Sequence, residues 1–291
     1  MHIFVTGATG WLGSAVVAEL LGAGHAVTGL TRSGDKAAGL AAAGATVLQA
    51  TLADDEALRS AAAAADAVIH LAFNHDISRF AESVEQDRRA IEILGEALLG
   101  SERPLLVTSG LSGLGPGATE ADIPAQLSPR RSEAAARALA ERGVRAATVR
   151  LAPSVHAVGE THAFIPILIR TAREKGVSAF LGEGLNRWAG VHRLDAARLY
   201  RQALETGVTE RVYHAVADEN VPFNAIAAAI GKGVGVEVAA REREHFGWLA
   251  GMVAAEMTAS SAATRARLGW VPHHPSLLSD LAQPGYYDAV A

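Results

Sequence analysis

The sequence predicts an α/β protein: a doubly wound parallel sheet with a smaller, mostly helical C-terminal lobe. Three observations lead there. Short apolar runs alternate with amphipathic stretches as far as residue 151. A glycine-spaced turn separates the first run from the first helical stretch. After Leu151 this rhythm gives way to helical pieces divided by Gly- and Pro-containing loops. Strand–helix alternation implies a parallel sheet covered by helices on both faces, joined by right-handed crossovers.

In chain order, the expected strands are Ile3–Thr6, Ala26–Leu30, Ala45–Leu48, Ala67–Leu71, Pro104–Thr108 and Ala146–Leu151. Between them lie expected helices at Trp11–Leu21, Lys36–Ala43, Asp55–Ala64, Ser78–Leu99 and Ser132–Arg142. The alanine-rich stretch Ala61–Ala65 keeps helical periodicity and is not read as disorder. Further helices are expected at Phe164–Lys175, Asp195–Glu205, Asn224–Ile230 and His245–Ala255, with one strand near Val212–Val216 returning to the main sheet. Residues 1–155 are therefore assigned to the sheet domain, with a returning segment near 190–216. Residues 156–189 and 217–291 are assigned to a substrate-binding lobe.

Composition narrows the function. The chain has 291 residues, 49% hydrophobic and 20% charged, enough for one large domain plus a lobe. A net charge of −5 gives no reason to expect nucleic acid or an anionic membrane as partner. No leader-like segment and no long apolar run is seen, so a cytoplasmic location is expected. With no cysteine, disulfides, thiolate metal sites and cysteine nucleophiles are excluded. No metal-binding spacing of His, Asp or Glu occurs, and no metal is expected.

The turn reads Val5-Thr6-Gly7-Ala8-Thr9-Gly10-Trp11-Leu12-Gly13, a G-x-x-G-x-x-G spacing between a strand and a helix. Gly7 suits the tight turn, Gly10 a close approach of pyrophosphate, and Gly13 close helix packing. Helix-terminal amides and the helix dipole favour phosphate there. The second strand runs into Thr31-Arg32-Ser33, with no acid before Asp35. An acid at that strand end would suit the free ribose hydroxyl of NAD. A guanidinium flanked by hydroxyls suits the 2′-phosphate of NADP. NADP is the expected cofactor.

Together with segments downstream, these residues resemble the extended and atypical members of the short-chain dehydrogenase/reductase superfamily, the epimerase/dehydratase-like branch with a Rossmann fold. The segments are His70-Leu71-Ala72, Val107-Thr108-Ser109, Arg150-Leu151-Ala152-Pro153-Ser154-Val155, Val191-His192-Arg193-Leu194-Asp195 and Leu268-Gly269-Trp270-Val271-Pro272. The resemblance spans nearly the whole chain. It implies that Gly7, Thr9, Gly10, Trp11, Leu12, Thr31, Arg32, Ser33, Thr51, Leu52, Leu71, Ala72, Phe73, Thr108, Pro153 and Val155 surround the dinucleotide. It also points to a homodimer through residues 78–99 and 132–142, although those helices could equally turn their apolar stripe to the sheet.

The superfamily's catalytic Y-x-x-x-K is missing. Aligning Ser132-Glu133 with its S-K puts Pro129 at the tyrosine and Glu133 at the lysine. Asp87 stands for the asparagine of the long fourth helix. None of the four tyrosines, Tyr200, Tyr213, Tyr286 and Tyr287, has lysine four residues on. Only Ser109, with Ser112, is left of the catalytic set.

A proton donor must then come from elsewhere. His75, in the loop Phe73-Asn74-His75-Asp76 after the fourth strand, titrates in the useful range; the bland reading is a surface histidine beside helix-capping Asn74 and Asp76. His156 and His162 are further candidates, grouped with Asn74, Arg130 and Trp188 as substrate-binding residues. Arg130 and Arg131 are cations at a helix start, against its dipole, and suit an anionic substrate or an oxyanion. The paired His273-His274 is expected to be solvated.

These features predict an NADPH-dependent oxidoreductase reducing a small or medium carbonyl compound. The alternatives are a catalytically silent NADP-binding redox sensor, an imine reductase, and a sugar-nucleotide epimerase.

Overall fold

The computed structural model describes residues 1–125, 130–161 and 163–290. Its first half runs β1 (His2–Thr6), α1 (Trp11–Gly22), β2 (Ala26–Thr31), α2 (Gly34–Ala42), β3 (Thr46–Gln49), α3 (Asp55–Ala64), β4 (Ala67–His70), α4 (Phe80–Glu96), β5 (Pro104–Gly110), α5 (Ser132–Glu141) and β6 (Arg145–Leu151). The second half runs β7 (Ser154–His156), α6 (Phe164–Lys175), β8 (Val177–Phe180), β9 (Arg187–His192), α7 (Arg193–Glu205), β10 (Val212–Ala215), β11 (Asp218–Pro222), α8 (Phe223–Val234), β12 (Glu237–Ala240), α9 (Arg243–Phe246), α10 (Ala250–Ala254), α11 (Ala262–Leu268) and α12 (Leu277–Leu281).

Seven strands form one parallel sheet in the order β10-β6-β5-β4-β1-β2-β3. All four residues of β4 are buried, as are Pro104–Ser109 of β5. Such continuous apolar strands need cover on both faces, and two cores supply it. Val16 and Leu20 of α1 pack with Leu199 and Tyr200 of α7 on one face. Leu58 of α3, Ile91 and Leu94 of α4 and Leu139 of α5 pack on the other. The strand order reverses between β1 and β4. The loops leaving their C-terminal ends therefore diverge and open a crevice, the position where ligands bind in such sheets.

The expected returning strand is β10, paired with β6 from Val212 opposite Thr148 to Ala215 opposite Leu151. The long fourth helix begins later than expected: a 3-10 turn (Ile77–Arg79) precedes α4. The expected helix at 245–255 is broken into α9, a 3-10 turn (Gly247–Leu249) and α10. The lobe also holds a three-stranded sheet, β11-β9-β7, and a two-stranded one, β12-β8. Trp188, Phe223, Ile169 and Phe246 form its core.

Candidate cofactor and active site

The turn between β1 and α1 is fixed by backbone contact. Gly7 has φ +67°, and a Cβ there would lie 2.8 Å from the Ala72 amide nitrogen. A Cβ on Gly13 would lie 1.9 Å from the Gly7 carbonyl oxygen. The strand end, the turn and the helix thus touch through main chain alone. The Gly10 amide closes the turn onto the Gly7 carbonyl at 2.9 Å, and the Ser14 amide begins the helix on the Gly10 carbonyl at 3.0 Å. The amides of Trp11, Leu12 and Gly13 make no backbone hydrogen bond among the described residues. Orphan helix-terminal donors of this kind form an anion cradle.

The Trp11 side chain is held from two sides. Its indole N–H donates to the Val155 carbonyl at 2.7 Å, tying α1 to β7. The Arg193 guanidinium lies 4.1 Å from the ring centroid.

At the end of β2, Thr31 is buried and its hydroxyl lies 3.4 Å from that of Thr9. Arg32 is exposed and has no ion-pair or hydrogen-bond partner among the described residues. Ser33 donates its amide to the Thr31 hydroxyl at 3.3 Å. After β3, Thr51 binds the Asp54 carboxylate through its amide and its hydroxyl, at 2.6 and 2.8 Å. That turn sets Leu52 half-buried beside it.

A buried polar chain runs under the ends of β1, β4 and β5. The Thr6 oxygen accepts the Leu71 and Ala72 amides at 3.2 and 3.3 Å, and it lies 2.8 Å from His70 Nδ1. With both lone pairs taken, its O–H donates to Nδ1, which leaves the proton on His70 Nε2. Nε2 then donates to Asp87 Oδ1 at 3.1 Å. The other Asp87 oxygen accepts the Ser132 hydroxyl at 2.5 Å. Burial presses the Asp87 pKa upward. The His70 bond, the Arg130 guanidinium and the Ser132 hydroxyl outweigh that and hold it below the usual carboxylate value.

Arg130 sits above this chain. It is 3.8 Å from Asp87 Oδ1 and donates to the Thr108 carbonyl at 3.3 Å. Its guanidinium carbon lies 4.0 Å from the Phe73 ring centroid. Its Nε is buried without a partner among the described residues. Thr108 meets the buried Tyr200 hydroxyl at 2.7 Å, so its side chain braces α7. Ser109 faces the other way, largely buried, and its hydroxyl has no hydrogen-bond partner among the described residues. His75 packs edge-on to Phe73 at 5.1 Å. Partial desolvation, then the Arg130 charge, lower its pKa, with Asp87 opposing. Asn74 accepts the Asp76 amide at 3.2 Å, and Asp76 accepts Ser78, so this pair also shapes the turn before α4. Ser112 lies on the exposed turn after β5.

The "NAD dependent epimerase/dehydratase family" profile matches residues 3–99. An uncharacterized protein of Schizosaccharomyces pombe is 46% identical over 296 residues, covering 99% of this chain and all of the relative. The chain belongs to the epimerase/dehydratase family. The solved structure titled MoeE5 in complex with UDP-glucose and NAD is 23% identical with a TM-score of 0.76, covering 99% of this chain and 98% of that one. The dTDP-glucose 4,6-dehydratase DesIV of Streptomyces venezuelae, solved with NAD and TYD bound, is 19% identical with a TM-score of 0.79, covering 99% and 97%. These two likenesses establish the fold.

Within the family, this chain departs at the helix that would carry Y-x-x-x-K. Pro129 and His162 lie outside the described residues. Glu133 does not face the crevice: its oxygens bind Arg150 Nε at 2.8 Å and Nη2 at 2.6 Å. Arg150 is fully buried and also binds the Thr119 and Asp122 carbonyls and His214. The acid at 133 therefore clamps α5 to β6. Near the crevice this stretch presents Arg130.

Two expected substrate-binding residues lie apart from this group. Trp188 is fully buried between Phe164 and Phe223, inside the lobe core. His156 is fully buried, with Nδ1 at 2.6 Å from Asp280; burial lowers its pKa, but Asp218 and Asp280 raise it further. His273 and His274 are not simply solvated. With Asp195 they form the one group of potential metal ligands among the described residues. The Asp195 carboxylate is already filled by Arg198 and by the amides of both histidines, so the trio anchors the C-terminal tail to α7. Spacing in the sequence carries no signal for the His70–Asp87, Glu133–Arg150 or Trp11–Arg193 pairs, because each joins separate elements.

Proposed function

We propose that this protein is an NADPH-dependent oxidoreductase that reduces a small or medium carbonyl compound. Arg32 carries the reading. It follows β2 directly, exposed, unpaired among the described residues and flanked by the Thr31 and Ser33 hydroxyls, which suits a ribose 2′-phosphate. No carboxylate stands there for the bare hydroxyl of NAD.

In this reading the amides of Trp11–Gly13 would hold the diphosphate of a bound dinucleotide, and Phe73, Ser109 and Pro153 would border its nicotinamide. When bound, NADPH would supply the hydride for a substrate carbonyl carbon. Ser109 and Arg130 take the oxygen as its negative charge grows, a preorganised electrostatic role that replaces the missing tyrosine. His75, or a water beside it, gives the proton that completes the alcohol.

The family's description, with the sugar nucleotides named for its structural neighbours, favours a second reading, epimerisation or dehydration of a sugar nucleotide with NAD. One experiment separates them: fluorescence titration with NADPH and NADH, then a panel of ketones, aldehydes, imines and UDP-sugars, following loss of the reduced cofactor. Tighter NADPH binding and substrate-dependent oxidation support the reductase. Arg32→Ala should cost NADPH about 10- to 100-fold in affinity, the worth of a charged hydrogen bond or two, and leave NADH unchanged. NADH preference with sugar conversion and no net oxidation would replace the first reading by the second.

A further inference from the structure

Arg193 opens α7 and packs against the start of α1. Its guanidinium carbon lies 4.1 Å from the Trp11 centroid, and Nη2 donates to the Ser14 hydroxyl at 2.5 Å. Trp11 and Ser14 bracket the first turn of α1, whose amides make the anion cradle. The indole is itself fixed by its bond to Val155, so the cation is held in place before any ligand arrives.

Its charge is uncompensated. Arg193 has no ion-pair partner among the described residues, and its Nε is buried without a hydrogen bond. The other arginines of α7 are paired: Arg198 with Asp195, and Arg201 with Glu19 and Glu205. Arg193 also stands at the N-termini of two helices, where both dipoles disfavour a cation. Stacking on Trp11 offsets part of that penalty. A half-buried guanidinium without an ion-pair partner among the described residues, held on the helix turn that carries three orphan amides, is complementary to a small polyanion.

We propose that Arg193 is a diphosphate-binding residue, closing on the pyrophosphate of the nicotinamide dinucleotide from the side opposite the glycine turn. This rests on the reading that the chain binds such a dinucleotide. A guanidinium offers two parallel donors to phosphate oxygens, and the Trp11 stack has already ordered it.

The test uses Arg193→Met, which keeps bulk against Trp11, and Arg193→Lys, which keeps charge without the fork. The ligands are NADPH, NADH and ADP-ribose, which share the diphosphate, and adenosine 2′-monophosphate, which lacks it. Arg193→Met should lose about 10- to 100-fold in affinity for the first three alike and nothing for the fourth, with Arg193→Lys between. The ligand-free melting temperature should hold or rise, since an unpaired charge has gone. Unchanged affinity for the three diphosphates overturns the inference. So does a weakening that includes adenosine 2′-monophosphate and a lower melting temperature, which marks a bracing role only. If the unsubstituted protein binds none of the three diphosphates, the dinucleotide reading falls and this inference with it.

Discussion

His70 and Asp87 meet at 3.1 Å in a place closed to water, each side chain 1% exposed. The contact links β4 to α4, and through Thr6 and Ser132 it reaches the glycine turn and α5. Arg130 hangs over its outer end. Asp87→Asn keeps the shape and removes the charge. It should cost about 1–3 kcal/mol, because an amide cannot accept as well from both His70 and Ser132. Asp87→Ala, which leaves both without a partner, should cost about 3–5 kcal/mol. Urea denaturation of the two variants measures this. Equal midpoints for Asp87→Asn and the parent would show that the carboxylate carries no charge that matters to folding.

The glycine turn makes a sharper contrast. A Cβ on Gly13 would fall 1.9 Å from the Gly7 carbonyl oxygen, whereas one on Gly10 would sit 3.2 Å from it. The obstacle at Gly13 is main chain, which cannot swing aside. Gly13→Ala should therefore destabilise by at least the roughly 1–3 kcal/mol of an overpacked core and abolish NADPH binding. Gly10→Ala should fold with less than about 1 kcal/mol lost. Melting curves and cofactor titration check both; a stable, cofactor-binding Gly13→Ala would mean that α1 can slide off β1.

The sheet was legible in the sequence because its strands are apolar and its helices amphipathic, so local pattern and tertiary role agree. The boundaries of α3 and α6 follow directly from that agreement. The short strands β7, β8, β9, β11 and β12 were not legible. They have three to six residues each, and their pairing partners lie far along the chain or across a bulge. The cofactor half of the site reads from glycine spacing, which is local. The other half does not: Arg130 gains its meaning only from Phe73, Asp87 and Thr108, brought together by three different elements.

His75 gives the proposed reaction a pH signature. Desolvation and the Arg130 charge put its pKa below the ordinary 6.5. At neutral pH the ring is uncharged, so it accepts a proton more readily than it gives one. If it is the donor, carbonyl reduction should accelerate as pH falls through that pKa, and alcohol oxidation should accelerate as pH rises through it. His75→Asn should flatten both limbs. Arg130→Met should move the limb upward only part of the way to 6.5, since desolvation, the larger cause, remains. A pH–rate profile with the same limb in His75→Asn would assign the proton to another group.

Glu160 makes stability depend on pH in the direction opposite to an ordinary paired carboxylate. It is 1% exposed, accepts the Tyr286 hydroxyl with one oxygen and leaves the other without a partner. Burial pushes its pKa from 4.5 up to about 8, against the pull of the Tyr286 bond and of His156. Between those values the folded chain keeps a proton that the unfolded chain has released. Stability then falls as pH rises through the window, by up to about 1.4 kcal/mol per unit from this one group. Below 4.5 both states are protonated and the penalty vanishes. Glu160→Gln preserves an oxygen for Tyr286 and cannot ionise. Its stability relative to the parent should therefore climb steadily from pH 4.5 to about 8 and level off beyond. His156, whose raised pKa adds a slope of the same sign, is present in both proteins and largely cancels in the difference. Urea denaturation of the pair across that range reads the slope directly. A constant gap would mean that Glu160 ionises freely in the fold, and that the lobe admits water along the Tyr286 side.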